Sequence, residues 1–289
     1  FCYPHTSPAA ADIVIAGLGA TLCYFWPMTH VPVQASRVVA VHSRWLAREL
    51  GAQFSGADIR RIRMGVADPL TTVSVPAPEV RARHGIPDGA VVFASFGRVT
   101  PEKGLSAVLR VLAQVAPALP ALRLLTVGGP AAHYDLMAEA REHGVADCVV
   151  EAGYVAEEDL ASYLNAADVC LNLRWPTGRE TSAAWLRCAA AGKPTIVTDL
   201  AHTTDIPSLD LRSMATACTL PGAHEPVCVH VDLDDEVNML RLALRRLTED
   251  ASLRERLGLA ARRYWKAEGT LELMARDYDT VRHSMNVSV

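Results

Sequence analysis

Two hydrophobic periods alternate along this chain. Residues 90–96 form a run of apolar and small side chains without charge, the pattern of a strand buried on both faces. Leu105, Val108, Leu109, Leu112 and Val115 then recur on one face of a helix. The alternation continues: 122–129, 149–153, 168–173 and 195–198 read as strands. Residues 183–191 read as a helix that Gly192-Lys193-Pro194 closes, with Gly past its end and Pro forbidding continuation. Near the amino end, 37–42 reads as a strand, 45–50 as a helix and 59–66 as a strand running into a linker. Toward the carboxyl end, three helix stripes follow: Val237, Leu240, Leu244 and Leu247; Leu253, Leu257, Ala260 and Tyr264; Leu271, Met274, Tyr278, Val281 and Met285. Each predicts an ordinary core face. Strands alternating with helices predict an α/β fold with a parallel sheet.

Length and composition narrow this without naming a chemistry. A chain of 289 residues has a prior of about two domains. An apolar content of 50% with a net charge of -4 describes a globular protein and excludes a polybasic nucleic-acid binder. The seven cysteines contain no Cys-x-x-Cys pair, and Cys148, Cys170 and Cys228 sit in apolar, strand-like runs. They are expected to be reduced core thiols in a cytoplasmic setting, not a disulfide framework or a zinc site. The apolar stretch from Ile13 to Met28 falls short of the roughly 20 residues that span a bilayer, and it contains Gly17 and Gly19. A buried piece of a domain is the expectation there.

Candidate chemistry gathers at two turns. Between the strand at 90–96 and the helix after it lies Gly97-Arg98-Val99-Thr100-Pro101-Glu102-Lys103-Gly104, which sets two cations at a strand's carboxyl end beside a helix amino terminus. Open α/β sheets bind ligands at that edge, and the helix dipole favours anions. A solvated turn in which Glu102 neutralises one cation has the same sequence. The second turn, Arg174-Trp175-Pro176-Thr177-Gly178-Arg179-Glu180-Thr181-Ser182, offers a carboxylate, hydroxyls and free backbone N–H groups at a helix start. That set suits a phosphorylated sugar, although an acid in a first turn also stabilises the dipole by about 0.3–1 kcal/mol without any ligand. The histidines His42, His84, His133, His143, His202, His224 and His230 lack metal-ligand spacing. His202, just past the strand at 195–198, is the best placed of them, and no Ser-His-Asp constellation or Gly-x-Ser-x-Gly turn occurs.

Taken in order, Gly97-Arg98 with Lys103-Gly104, Gly153-Tyr154-Val155, Asp159-Leu160, Ala167-Asp168-Val169, Pro176 to Ser182 and Ala191-Gly192-Lys193-Pro194 span about residues 65–207. This series resembles the nucleotide-sugar-binding half of glycosyltransferase family 4, retaining enzymes of the GT-B fold. The resemblance implies a Rossmann-like donor domain at 66–268, preceded at 1–65 by a remnant of an amino-terminal Rossmann-like acceptor domain and linker, with a carboxy-terminal helix at 269–289 packing back toward the front, its apolar face expected to be exposed or re-docked where the first domain is missing. Because so little of the first domain is present and the chain begins at Phe1, a fragment or shortened form is expected.

The resemblance also implies roles. Arg98 and Lys103 would hold the donor's diphosphate and stabilise the charge on the leaving nucleotide. Glu180 would bind the sugar hydroxyls, with Thr181 and Ser182 offering N–H groups to the phosphates. Gly97 and Gly128 would admit close approach of the ligand, and Tyr154 and Val155 would read the base. Retention would need no protein nucleophile, the acceptor attacking the face that the diphosphate leaves. No metal or cofactor is implied, since Arg98 and Lys103 supply the charge. The partners implied are a nucleotide-sugar donor and a sugar, lipid or glycan acceptor at the cytoplasmic side, with peripheral association at the inner membrane face left open and no nucleic acid. One position departs from the family: where a second Glu that grips the ribose is usual, this chain has Cys188. A thiol is a poor acceptor for two hydroxyls, so ribose recognition is expected to be weakened, delegated to another group or absent. A non-catalytic nucleotide-sugar-binding remnant and a GT-B sugar-nucleotide epimerase are the alternatives.

Overall fold

The computed structural model describes residues 29–222 and 224–286. The apolar stretch 13–28 lies outside the described residues. A front piece carries α1 (His30–Ala35), β1 (Val39–Val41), α2 (Arg44–Gln53) and β2 (Ile59–Arg61). β1 and β2 pair in parallel, with Val39 opposite Ile59 and Val41 opposite Arg61, so α2 is a right-sized crossover between them. Ser43 starts α2 by accepting the Leu46 N–H at 3.0 Å.

The main body follows as α3 (Ala77–Arg83), β3 (Val91–Phe96), α4 (Leu105–Val115), β4 (Leu122–Val127), α5 (Leu136–Glu142), β5 (Val149–Gly153), α6 (Leu160–Ala166) and β6 (Val169–Asn172). It continues with α7 (Ala183–Ala190), β7 (Thr195–Thr198), β8 (Ser208–Asp210), β9 (Ala215–Ala217), β10 (Cys228–Val231), α8 (Glu236–Glu249), α9 (Ala251–Glu268) and α10 (Leu271–Asn286). Its strands lie in the order β5-β4-β3-β6-β7-β10-β8-β9. Every pairing is parallel except β8 with β9.

That order explains the sequence pattern of β3, which is buried at all six positions. Val91 and Phe93 face one layer with α4, α5 and α8, where Leu109, Leu112, Leu136, Met239 and Leu244 are buried. Val92 and Ala94 face the other layer with Leu164 of α6, Cys170 of β6 and Cys188 of α7. Burying each large aliphatic side chain stabilises by about 1.5–3 kcal/mol, so a strand covered on both sides needs apolar residues throughout. The chain runs outward from β3 to β4 and β5, then returns to lay β6 on the opposite side of β3. This reversal makes a switch point between β3 and β6, and a crevice opens outside their carboxyl ends.

Three expectations need correction. Cys148 sits half-buried in the 3-10 turn Ala146–Cys148, not in a strand, because β5 begins only at Val149. The stripe on α10 is not a core face, with Leu271 43% and Tyr278 50% exposed. α10 is held to the front piece by polar bonds: Asp277 accepts from the Arg63 backbone N–H at 2.9 Å and from its Nε at 2.8 Å. A helix anchored at one polar side covers little of its apolar stripe. Finally, Tyr264 is not wholly core: it packs against the core beside Trp185 but is only half-buried and also lines a cavity.

Candidate active site

The switch point brings the two sequence turns together. The carboxyl end of β3 leads into the Gly97–Gly104 turn, that of β6 leads into Leu173–Ser182, and the Trp175 N–H donates to the Glu102 carbonyl at 2.8 Å, joining the loops. Two cavities flank the first turn, and Ala184 at the start of α7 lines both.

One cavity, of about 540 Å³, is walled by Gly97, Arg98, Gly128, Gly129, Tyr154, Val155, Glu157 and Arg187 among others. Gly128 is there for a steric reason. Its φ is +150°, and a Cβ would lie 2.3 Å from the Gly97 carbonyl oxygen, so only a glycine lets the β3 and β4 ends approach this closely. Arg98 is exposed and, among the described residues, makes no hydrogen bond or ion pair. Tyr154 is 85% exposed and presents a free ring at the rim. A guanidinium without a partner beside an aromatic ring and bare backbone is suited to an anionic, planar ligand.

The other cavity, of about 300 Å³, is walled by Lys103, Asn172, Arg174, Thr177, Glu180, Thr181, Ser182, Leu200 and His202 from the main body. His42, Ser43, Arg44 and Arg61 close it from the front piece, and Tyr264 and Glu268 from α9. Ser182 caps α7, accepting the Trp185 N–H at 3.1 Å while donating to Asn172 Oδ1 at 3.1 Å. The amino end of an eight-residue helix therefore faces this space with Thr181 and Ser182 at its mouth. Lys103 Nζ donates to the Phe96 carbonyl. Burial, reinforced by the Arg174 charge, brings its ammonium down to about 8.

Glu180 sits 3.0 Å from Arg174 Nε and accepts the Thr177 hydroxyl at 2.9 Å. Burial pushes its carboxyl up, but its own backbone N–H, Thr177 and Arg174 outweigh this and hold it below the usual range. It is an ionised acceptor aimed at the cavity. His202 is pushed down by burial, with Arg179 adding to this and Glu180 opposing it, so its ring is neutral at neutral pH. Arg179, at φ +62°, stacks 5.4 Å over the Trp45 ring, and Trp45 meets His202 edge-on at 6.4 Å. The front piece thereby braces the loop that carries Glu180.

Of the residues expected from the sequence, Gly97, Arg98, Gly128, Tyr154 and Val155 share the first cavity, and Lys103, Glu180, Thr181 and Ser182 the second. Cys188 is the exception. It is 3% exposed and lines neither cavity, because its position on α7 turns the thiol into the layer shared with Ala94, Leu164 and Cys170. It sits in the core. A hydrogen bond with Cys170, and then burial, push its thiol well up.

Arg174, Asn172, Arg44, Arg61 and Glu268 were not singled out by their chemistry, and His42 was weighed only as one of the scattered histidines. Arg174 and Asn172 could have been found from their place at the end of β6. The front residues could not, since nothing local in 37–66 says which cleft they border. His84 and His230 have structural partners, Tyr163 Oη at 2.9 Å and Ser208 Oγ at 2.9 Å.

Residues 90–211 match the family model described as Glycosyl transferases group 1. The chain is 30% identical over 118 residues to the alpha-monoglucosyldiacylglycerol synthase of Streptococcus pneumoniae, a match covering 41% of this chain and 26% of that protein. It is 32% identical over 154 residues to the D-inositol 3-phosphate glycosyltransferase of Rhodococcus erythropolis, covering 50% of this chain and 32% of that protein. The chain thus aligns with less than half the length of either relative. In fold it is similar to Anabaena HepE in complex with UDP, with a TM-score of 0.69 at 15% identity over 90% of this chain and 66% of that one. The GT-B character expected from the motif series is present. No helix among the described residues is long and apolar enough to cross a membrane.

Proposed function

We propose that the chain takes part in transfer of a sugar from a nucleotide-diphosphate sugar to an acceptor, with retention of configuration, a reading supported by the match of residues 90–211 to the Glycosyl transferases group 1 model. The observation that carries this is the pair of cavities either side of the Gly97–Gly104 turn, one suited to a nucleoside and the other to a sugar. The UDP named with the HepE structure supports a nucleotide donor. Laid across Ala184, a donor's diphosphate meets Arg98 from one side and Lys103 with the amino end of α7 from the other. The base rests by Tyr154 and Val155, and the sugar hydroxyls reach Glu180. An acceptor hydroxyl then attacks the anomeric carbon on the face from which the diphosphate departs. The bond from that carbon to the diphosphate oxygen breaks, and a phosphate oxygen takes the acceptor's proton. Arg98 and Lys103 stabilise the negative charge that grows on the diphosphate, the largest kind of contribution a preorganised site makes.

The test is calorimetry with nucleoside diphosphates on wild type and Arg98→Ala. A loss of about 1.5–3 kcal/mol is expected for a hydrogen bond to a charged group. Equal affinity in the two proteins removes Arg98 from the site. Product formed only when an acceptor is added separates a transferase from a non-catalytic binder, and turnover without an acceptor identifies an epimerase.

A further inference from the structure

We propose that Glu157, held by Arg187, is the group that recognises the ribose of a bound nucleotide, an inference that rests on the nucleotide-donor reading above. A ribose offers two adjacent hydroxyls as donors, and a carboxylate, with two oxygens and acceptor-only character, is the side chain best matched to both. Among the described residues lining the nucleoside cavity, Glu157 is the one carboxylate. The other polar side chains there are Arg98, Arg187 and Tyr154, none of which can accept from two hydroxyls together. Cys188 cannot serve either, since its thiol is sealed beneath α7.

Geometry places Glu157 suitably. It follows Tyr154 and Val155 in the loop after β5, so the groups beside a base and the carboxylate share one wall of the cavity. Arg187, one turn into α7, grips it with Nη2 2.7 Å from Oε1 and Nη1 3.4 Å from Oε2. This fork engages both oxygens while leaving each a lone pair for a hydroxyl, and it fixes the carboxylate's plane. Glu157 is 72% exposed on its side chain and Arg187 39%, a weak pair for stability. A side chain of that exposure is accessible to a ligand, and its pairing gives it orientation rather than folding energy.

The test reads ribose recognition and not affinity alone. UDP, GDP, ADP and CDP, each with its 2′-deoxy and 3′-deoxy form, are titrated into wild type, Glu157→Ala, Glu157→Gln and Arg187→Met. Wild type should prefer the ribose form of its nucleotide by about tenfold or more, the usual discrimination when a hydrogen bond to a charged group is lost. Glu157→Ala should bring that ratio close to one by weakening the ribose form alone. Glu157→Gln should retain part of it, and Arg187→Met should lower it by loosening the carboxylate. Circular dichroism checks that each variant is folded. A wild type indifferent to the hydroxyls, a ratio unchanged in Glu157→Ala, or equal weakening of all forms overturns the assignment while nucleotide binding stands. Failure of all four diphosphates to bind overturns both this assignment and the donor reading.

Discussion

Lys103 is a cation that its surroundings oppose. Burial and Arg174 bring it down to about 8, whereas in the unfolded chain it keeps its proton to about 10.4. Between those values the unfolded state binds more protons, so folding stability rises with pH there, and the cost of the buried charge is fully present below about 8. A diphosphate needs the charged form. Binding at pH 9 therefore takes up a proton, and nucleoside diphosphate affinity should be about tenfold weaker at pH 9 than at pH 7. Lys103→Met should bind more weakly at both and lose most of this slope. Calorimetry in buffers of different ionisation enthalpy measures the proton uptake, and a wild-type affinity flat from pH 7 to 9.5 would remove Lys103 from the phosphate site. Cys188 makes the opposite case, a residue whose sequence position suggested ligand contact and whose burial denies it. Cys188→Glu places a carboxylate among Ala94, Leu164 and Cys170 and should cost about 3 kcal/mol or more, seen as a lowered thermal midpoint. A stable Glu variant that binds nucleotide more tightly would show that position 188 can reach the first cavity.

At the scale of elements, the site depends on how closely two strand ends approach. Gly128 at the end of β4 lies against the Gly97 carbonyl at the end of β3, and Gly128→Ala should push these apart. The expected outcome is loss of most nucleotide affinity together with a modest drop in stability, since a φ of +150° is also unfavourable for alanine. Unchanged affinity would mean that the ligand does not use this turn. Much of this was legible in the sequence. Residues 90–96 and 195–198 announce buried strands because each is covered on both faces, and Gly192 and Pro194 mark where α7 must stop. The order of motifs fixed where the two loops would be. Harder to see were α3, α5 and the β8 and β9 pair, which are short and whose burial depends on distant partners. Arg81 of α3 illustrates this: it donates to the Ala166 carbonyl and pairs with Asp168 at 2.9 Å, while Asp168 also accepts the Val92 N–H at 2.7 Å. No local pattern reveals a bond spanning that much sequence. The front wall of the sugar cavity was hidden for the same reason, since Arg61 and Glu268 meet only once the chain has folded.

In the whole molecule, ion pairs help tie the front piece to the carboxy-terminal helices. Glu268 at the end of α9 lies 2.7 Å from Arg61 and 3.4 Å from Arg44, and Asp277 of α10 pairs with Arg63. The main body, by contrast, is held by a continuous apolar core on both faces of its sheet. These two kinds of attachment should separate under acid. The Arg63 side chain, more than the partial burial that opposes it, holds the Asp277 carboxyl below its usual range, helped by the Arg63 backbone N–H and the nearby Arg61 charge. A carboxylate lowered in the folded state contributes stability that is present above the unfolded value of about 3.9 and is lost as pH falls through the lower, folded value. Lowering the pH through that folded value should therefore release α10 while the eight-stranded sheet persists. Asp277→Asn should produce a similar release at neutral pH, with amide hydrogen exchange in α10 and at Ile62–Met64 faster by about tenfold or more and β3 unchanged, as expected for loss of a charged hydrogen-bonded pair. Because Arg61 and Arg44 also wall the sugar cavity, the same variant should weaken binding of a nucleotide sugar more than that of the bare diphosphate. Uniform protection changes across α10 and β3 would mean that the front piece, α10 and the sheet open as one unit, and that these ion pairs do not set the boundary.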